Sequence, residues 1–487
     1  MPREIWETLS AWSPLLVAIV DITLATGATL HLLLRKRENR TTIAWAGLIW
    51  LAPFLGTSAY LLLGINRIAR KAHRIGLRQA RAREASPTYD TCKLCDEITV
   101  TQTHPSLLGL AKLVGRVTER ELLPGNRIVP LANGDEAYPE MLSAIENAEH
   151  SISLLSYIFD ADRAGEQFYE ALTRAHLRGV QVRVLVDDVG TRYSKRNIVT
   201  MFQQAGVPAT TFLPTRRPWL LAYANLRNHR KILVVDGRIG FTGGTNIREG
   251  HCLDWQPAAP VQCLHFRVEG PVVAQLQEAF VVDWSFAQGE SLRGPIWFPP
   301  LAACGPAMAR GITDGPDEDL EKMPDTLLGA LASARQSVHI VTPYFLPEAS
   351  LIDMLTTTAM RGVEVRILVP AQNNIPLVHW AMLADLPQLL KKDCRVYFSP
   401  PPFDHTKLLI IDRLWSLIGS TNWDPRSLRL NFEFNIECYD AELAEYLTRQ
   451  VDARIGQAHP VTPAELESRP LRHQLRDSLA RLLSPYL

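Results

Sequence analysis

Asn228-His-Arg-Lys-Ile-Leu-Val-Val-Asp-Gly237, closed at Gly243-Gly-Thr-Asn246 by a glycine-led turn, returns almost unchanged as Asp404-His-Thr-Lys-Leu-Leu-Ile-Ile-Asp-Arg413 with Gly419-Ser-Thr-Asn422. In both copies His-x-Lys precedes four apolar residues, an Asp, six further residues and a turn ending in Asn. The apolar four read as a buried strand. Residues two apart on a strand share a face, which predicts His229 beside Lys231 and His405 beside Lys407. One such pair means little, but two with matched spacing to Asp236 and Gly243, and to Asp412 and Gly419, are not coincidence. A symmetric pair of imidazoles, each with a cation and an amide, suits in-line displacement at a phosphodiester. One imidazole attacks phosphorus and the other protonates the departing alcohol, while Lys231, Lys407, Asn246 and Asn422 hold the non-bridging oxygens.

Working outward, the duplication spans far more than the motif. Ser151-Ile-Ser-Leu-Leu-Ser156 matches Ser337-Val-His-Ile-Val-Thr342, and Arg178-Gly-Val-Gln-Val-Arg-Val-Leu-Val186 matches Arg361-Gly-Val-Glu-Val-Arg-Ile-Leu-Val369. Strands alternating with helix-period segments at 166–177 and 350–360 predict α/β halves, each a mixed sheet covered on both faces. The expected division is a first half over 126–305 and a second over 306–487.

Composition bounds the rest. The chain has 487 residues, 47% of them hydrophobic, which is enough for several cores. Lys and Arg number 51 and so do Asp and Glu, so no global field points to nucleic acid. Seven scattered cysteines do not make a disulfide framework and fit a reducing compartment. Cys92 and Cys95 have the spacing of half a zinc site, but no second pair follows, which favours free thiols. Nothing else has metal-ligand spacing, so neither a metal nor a cofactor is expected.

Ahead of the repeat, residues 15–34 carry one charge, Asp21, and residues 43–65 carry none. Each run is long enough to cross about 30 Å of hydrocarbon, which predicts a transmembrane hairpin within 1–66. The alternative is a buried helical hairpin of a soluble domain. Asp21 would cost roughly 2.5–3.5 kcal/mol at a helix centre, so it should face the partner helix or an interface. Residues 67–83 hold seven Lys or Arg against four in the connecting turn and one before the first run. That excess puts the part that follows on the cytoplasmic side. The same basic segment suits either an anionic lipid surface or a solvated linker helix, and 67–125 as a whole reads as the connection into the folded part. Near the other end, leucines at 471, 475, 479, 482 and 483 with Arg472, Arg476 and Arg481 between them form an amphipathic stripe. It could rest on the bilayer or on the domain core.

The doubled H-x-K-x4-D-x6-G-[GS]-x-N pattern resembles the phospholipase D superfamily. Asn422-Trp-Asp-Pro-Arg-Ser-Leu428, Asn431-Phe-Glu433, Ser156-Tyr-Ile-Phe-Asp160, Pro343-Tyr-Phe-Leu-Pro347 and Arg267-Val-Glu-Gly-Pro271 narrow the similarity to the bacterial cardiolipin synthases. The resemblance implies halves packed by pseudo-twofold symmetry with the two His-Lys segments together. It also implies metal-free phosphatidyl transfer between two phosphatidylglycerols, giving cardiolipin and glycerol, on a bacterial inner membrane. It makes His229 the nucleophile and His405 the acid and base. Hydrolytic phospholipase D, another phosphodiesterase or nuclease, and a non-catalytic scaffold are the alternatives. An attacking imidazole needs a carboxylate on its far nitrogen. Glu433 is the candidate for His405. In the first half Cys263 stands where the family usually has an Asp, which leaves Asp254 as a substitute for His229. Asp236 and Asp412 either tie the turn or tune the site electrostatically.

Overall fold

The computed structural model describes residues 3–35, 39–61, 105–214, 226–316 and 321–484. The chain divides into an N-terminal unit and a larger body. The basic segment 67–83 and the pair Cys92 and Cys95 lie outside the described residues.

In the N-terminal unit, α1 (Arg3–Arg35) contains an 18-residue stretch, Val17–Leu34, of mean hydropathy 1.8 and only 17% buried. It is long and apolar enough to cross a membrane. The second apolar run is not one helix. It forms α2 (Asn39–Leu51) and α3 (Pro53–Ala59), interrupted at Ala52 because Pro53 has no N–H for the helical ladder. Among the described residues only α1 passes as a span by itself. Both arms pack together nonetheless. Ala25, Ala28 and Leu32 are buried against Ile49 and Tyr60, Tyr60 Oη lies 2.8 Å from His31 Nδ1, and Trp50 Nε1 donates to Thr29 Oγ1. Asp21 is half-buried on α1.

The body begins earlier than the expected boundary at residue 126. Residues 108–118 form a helix, α4 (Leu108–Thr118), whose Leu110 and Val114 are buried in the core of the second half. That stretch, expected to be connection, is therefore part of the fold. Leu107, just before it, and its Leu110 and Val114 recur at helical spacing, a signal diluted by the glycines around it.

Seven strands in each half build one continuous sheet. The first half supplies β1 (Leu123–Ala132), β2 (Ser151–Ser156), β3 (Gln181–Asp187), β4 (Ala209–Phe212), β5 (Ile232–Val235), β6 (Ile239–Gly243) and β7 (Leu264–Glu269). The second supplies β8 (Ala307–Asp314), β9 (Ser337–Val341), β10 (Glu364–Pro370), β11 (Arg395–Ser399), β12 (Leu408–Ile411), β13 (Trp415–Gly419) and β14 (Asn431–Tyr439). Their order is β11-β10-β9-β12-β13-β14-β8-β1-β7-β6-β5-β2-β3-β4, in which these fourteen read the same from either end once the halves are exchanged; the second half adds a short antiparallel edge strand, His459–Pro460, beside β11. The central seam is the antiparallel β1–β8 pair, Leu123 opposite Ala309 and Asn126 opposite Ala307. Both halves bury β-branched and Leu side chains on the strands under helices, as mixed sheets with covered faces require.

The halves also exchange short strands. Arg227–Asn228 runs parallel to β14, with Arg227 opposite Asn431, and Phe403–Asp404 runs parallel to Val261–Gln262. The motif segments are therefore not continuous strands as expected. Residues 229–231 and 405–407 fall in a break between pairing with the other half and pairing within their own. A segment that changes sheet partners must leave one ladder before it joins the next, and His-x-Lys is the stretch that does so.

Candidate active site

Each break places its histidine through the opposite half. His229 N–H donates to Phe432 O at 2.9 Å, and His405 N–H donates to Gln262 O at 2.7 Å. Arg230 fastens the first crossing further, with Nε on Glu433 O at 2.9 Å and a guanidinium nitrogen 2.7 Å from Asp283 on α5 (Val273–Gln288). As a result the two imidazoles meet edge to face with ring centroids 6.2 Å apart, both buried. Lys231 Nζ donates to His229 O at 2.6 Å and Lys407 Nζ to His405 O at 2.7 Å, so each ammonium is folded back against its own histidine.

The two histidines differ on their far side. His229 Nδ1 is 3.0 Å from both carboxylate oxygens of Glu433, which also accepts from the Ser420 hydroxyl and from Asn431 Nδ2 at 3.1 Å. His405 Nδ1 is 2.9 Å from Gly244 O. The expected pairing of Glu433 with His405 is thus corrected: the carboxylate serves the histidine of the other half, because β14 runs beside Arg227–Asn228. Asp254 does not fill the place proposed for it. It lies in the turn Leu253–Trp255, where its N–H donates to Asp135. Cys263 is the counterpart of Glu433 by register, since Gly243 stands opposite His265 and Gly419 opposite Asn435. It is fully buried and faces the His405 side, where a Cβ on Gly244 would come within 2.6 Å of its Sγ and 2.7 Å of His405 O. Residue 244 is therefore bare so that its carbonyl can reach His405.

Both Nδ1–H groups donate to acceptors, leaving each Nε2 with its lone pair. Burial, helped by Lys231 and Lys407, holds both imidazoles well below the usual histidine range. Burial also pushes Glu433 up to about 7, opposed by Lys231. The ammoniums are pushed down, Lys231 to about 7 and Lys407 to about 8, again chiefly by burial. Two desolvated cations and two neutral imidazoles around the one carboxylate of Glu433 make a site suited to binding an anion.

Asn246 and Asn422 occupy matched places. Asn246 Oδ1 accepts from Ile158 N–H at 3.2 Å, which makes Nδ2 its free donor end, and its own N–H is held by His251 Nε2 at 3.3 Å. Asn422 Nδ2 donates one hydrogen to the Ser427 hydroxyl at 3.0 Å, and its Oδ1 has no partner among the described residues. His251 and Ser427 each follow their asparagine by five residues, yet only the histidine brings a ring to within 6.5 Å of His405. Sequence reading missed His251, and it missed two tyrosines. Tyr157 lies edge-on to His229 at 5.0 Å with Lys231 Nζ 5.5 Å from its ring centre, and Tyr344 lies edge-on to His405 at 6.4 Å. Both tyrosines sit in quoted segments just after matched strands, and that shared position was the available signal.

Asp236 and Asp412 stand apart from this cluster. Asp236 accepts from the N–H groups of Glu149, His150 and Ser151 at 2.7–3.0 Å, and Asp412 from those of Arg335, Gln336 and Ser337 at 2.7–2.9 Å. Each ties the start of β2 or β9 to the far end of the motif strand, five residues from its lysine, which is roughly 16 Å along an extended chain at about 3.3 Å per residue. Of the two expected roles, tuning the catalytic site or tying the turn, their contacts are those of a tie, and their left-handed φ of 51° and 54° sets the turn.

Residues 141–258 and 327–455 match the family described as cardiolipin synthase, PLD-like domain, and residues 15–64 match the phospholipase D-nuclease N-terminal family. A cardiolipin synthase of Geobacillus thermodenitrificans is 30% identical over 98% of this chain and 95% of its own. A major cardiolipin synthase of Bacillus subtilis is 29% identical over 93% and 95%. The phosphatidylserine synthase structure from Haemophilus influenzae superposes with a TM-score of 0.60 at 16% identity, covering 78% of this chain and all of that one, which is a likeness of fold. Matches on both halves and nearly the whole length mean that the chain belongs to the cardiolipin synthase family of phospholipase D-like proteins.

Proposed function

We propose that the chain is a phosphatidyltransferase that joins two phosphatidylglycerol molecules into cardiolipin and releases glycerol. The observation that carries the assignment of roles is the Glu433 carboxylate on His229 Nδ1 against a bare carbonyl on His405 Nδ1. In this reaction the phosphodiester enters between the imidazoles, and its negative charge restores full protonation to Lys231 and Lys407. His405 takes up a proton at Nε2 as the phosphodiester's charge enters; Nε2 of His229 then attacks phosphorus, the bond to the glycerol oxygen breaks, and His405 passes that proton to the departing oxygen. The new N–P bond leaves an imidazolium whose charge Glu433 offsets. The primary hydroxyl of a second phosphatidylglycerol then gives its proton to His405 and attacks phosphorus, and the N–P bond breaks. Asn246 and Asn422 donate to the phosphoryl oxygens where charge accumulates.

The body works at the cytoplasmic face of a bacterial inner membrane in this proposal, anchored by a two-span hairpin of α1 and the kinked α2–α3 arm. Support comes from the contacts between the arms and from the basic excess in 67–83. Lipid analysis by mass spectrometry of the purified chain in phosphatidylglycerol vesicles tests the reaction. Cardiolipin and glycerol in equal amounts are expected, and phosphatidic acid as the main product would overturn it.

A further inference from the structure

The leucine stripe near the end of the chain is not core. In α7 (Leu471–Leu482), Asp477 and Ala480 are buried, and the helix packs on α6 (Pro376–Leu390). Arg476 lies 4.4 Å over the Trp380 ring and Arg481 is 2.6 Å from Asp385. That contact leaves the opposite face open: Leu471, Leu475, Leu479, Leu482 and Leu483 are 70, 56, 65, 74 and 45% exposed. At 100° per residue these five side chains fall within one third of the helix circumference, with Arg472 inside that arc between Leu479 and Leu483, Arg476 about 20° past one edge and Arg481 about 80° past the other.

The charges around the stripe select what covers it. Asp477, the acid of this helix, is buried and paired with Arg469 and Arg476. On the preceding turn Glu465 pairs with His459, and Glu467 with Lys391. The stripe therefore offers apolar surface edged with positive charge. A second copy laid on it would set arginines against arginines, whereas an anionic phospholipid surface supplies both an apolar phase and opposite charge.

We propose that α7 is an interfacial helix whose leucine face enters the headgroup and acyl boundary of an anionic bilayer and lays the body on the surface that holds its substrate. The proposal rests on the reading that the substrate is a phospholipid.

The test uses the full chain in vesicles of phosphatidylglycerol and phosphatidylethanolamine, with photoreactive benzoylphenylalanine in place of Leu479. Irradiation is expected to give a lipid adduct on that peptide. A cross-link to a second chain, or no lipid adduct, overturns the proposal. Separately, the triple variant L475Q/L479Q/L482Q is compared with the unaltered chain on vesicle phosphatidylglycerol and on a short-chain phosphatidylglycerol dissolved as monomers. These leucines are exposed, so the fold should be indifferent to the change. A loss of about tenfold on vesicles with unchanged turnover of the monomer is expected from losing three apolar anchors. Equal loss on both substrates, or none on either, overturns the proposal. If the unaltered chain turned over neither form, the functional reading would fail, while the adduct at position 479 would still report on the helix.

Discussion

Nδ1 of His229 is 3.0 Å from both oxygens of Glu433, a residue 204 positions further along and in the opposite half of the body. That bond joins the two halves at the reacting atoms, so neither half alone holds a complete nucleophile. Glu433→Gln retains the shape and can still accept a hydrogen bond, but it removes the charge that offsets the phosphorylated imidazolium. Turnover should fall about 100-fold or more with the melting temperature nearly unchanged, as expected when a group acts mainly in the transition state. Activity within threefold of the unaltered chain would remove Glu433 from the mechanism.

The same cluster sets the pH dependence. Glu433 must be ionised and is pushed up to about 7, while Lys231 and Lys407 must be charged and are pushed down to about 7 and about 8. The profile of kcat/KM, which reports the free enzyme, should be a narrow bell centred between roughly 7 and 8, with limbs that belong to the coupled cluster. Lys407→Arg, which cannot titrate, should extend the alkaline limb even if it lowers the maximum. Unfolding does not mimic that limb. Lysines with depressed folded pKa values bind fewer protons when folded than when unfolded, so their contribution to stability grows as pH rises from about 8 toward 10.5. Glu433 contributes with the opposite sign: its stabilisation is lost as pH rises from 4.5 to about 7, below the window in which the lysines act. A melting temperature that fell in step with activity above pH 8 would contradict this assignment.

Much of this was legible in the sequence because the repeat doubles every signal: the strand pairs find their places in the sheet, and the His-Lys segments and turn asparagines stand at matched places just off its strands. What could not be read was which half each motif leans on. Glu433 follows His405 by 28 residues and His229 by 204, and only the parallel pairing of Arg227–Asn228 with β14 gives it to the distant histidine. Cys263 was placed at the right position on the strand, yet its neighbour is the other histidine, for the same reason. The leucines of α7 showed helical spacing but not which face would be covered, because the acid and alanine that dock the helix lie between them.

Asp236 and Asp412 should behave as structural ties. Alanine at either position leaves three backbone N–H groups without their charged acceptor and replaces a residue tolerant of the left-handed region. A loss of about 2–4 kcal/mol follows, larger for the more buried Asp412. Thermal melting reads this directly. Asp412→Asn, which keeps the turn conformation and one acceptor, should recover part of it. Activity per folded molecule should stay within about threefold, since the strand and not the carboxylate positions the lysine. A catalytic defect in a variant that melts normally would return these residues to the site.

The order of the two histidines is open to chemical trapping. With a phosphatidyl substrate carrying an acidic leaving group, no proton needs to be delivered, so His405→Asn should still load lipid onto residue 229. In the same variant the second step stalls, because nothing takes the proton from the incoming hydroxyl. His229→Asn should load none. Peptide mapping that found the adduct on His405 would reverse the roles and leave the Glu433 contact without its proposed purpose.

Reversal is the remaining consequence. A phosphatidyl group on His229 can pass to water or to a lipid alcohol, and water is far more concentrated, so synthesis requires the acceptor hydroxyl to be held close to phosphorus and water to be kept out. Both imidazoles are buried, and Tyr157 and Tyr344 stand edge-on beside them, which leaves little room for bulk solvent at phosphorus. Exchange of one phosphodiester for another is close to balanced in free energy, so the direction should follow the concentrations of the alcohols. Added glycerol should slow cardiolipin formation and, supplied with preformed cardiolipin, should regenerate phosphatidylglycerol, two molecules for each cardiolipin and glycerol consumed. Isotopically labelled glycerol followed into the lipid fraction measures this without ambiguity. Label that stayed in water while phosphatidic acid accumulated would mean that the pocket admits water at phosphorus, and hydrolysis would then be the reaction the site performs.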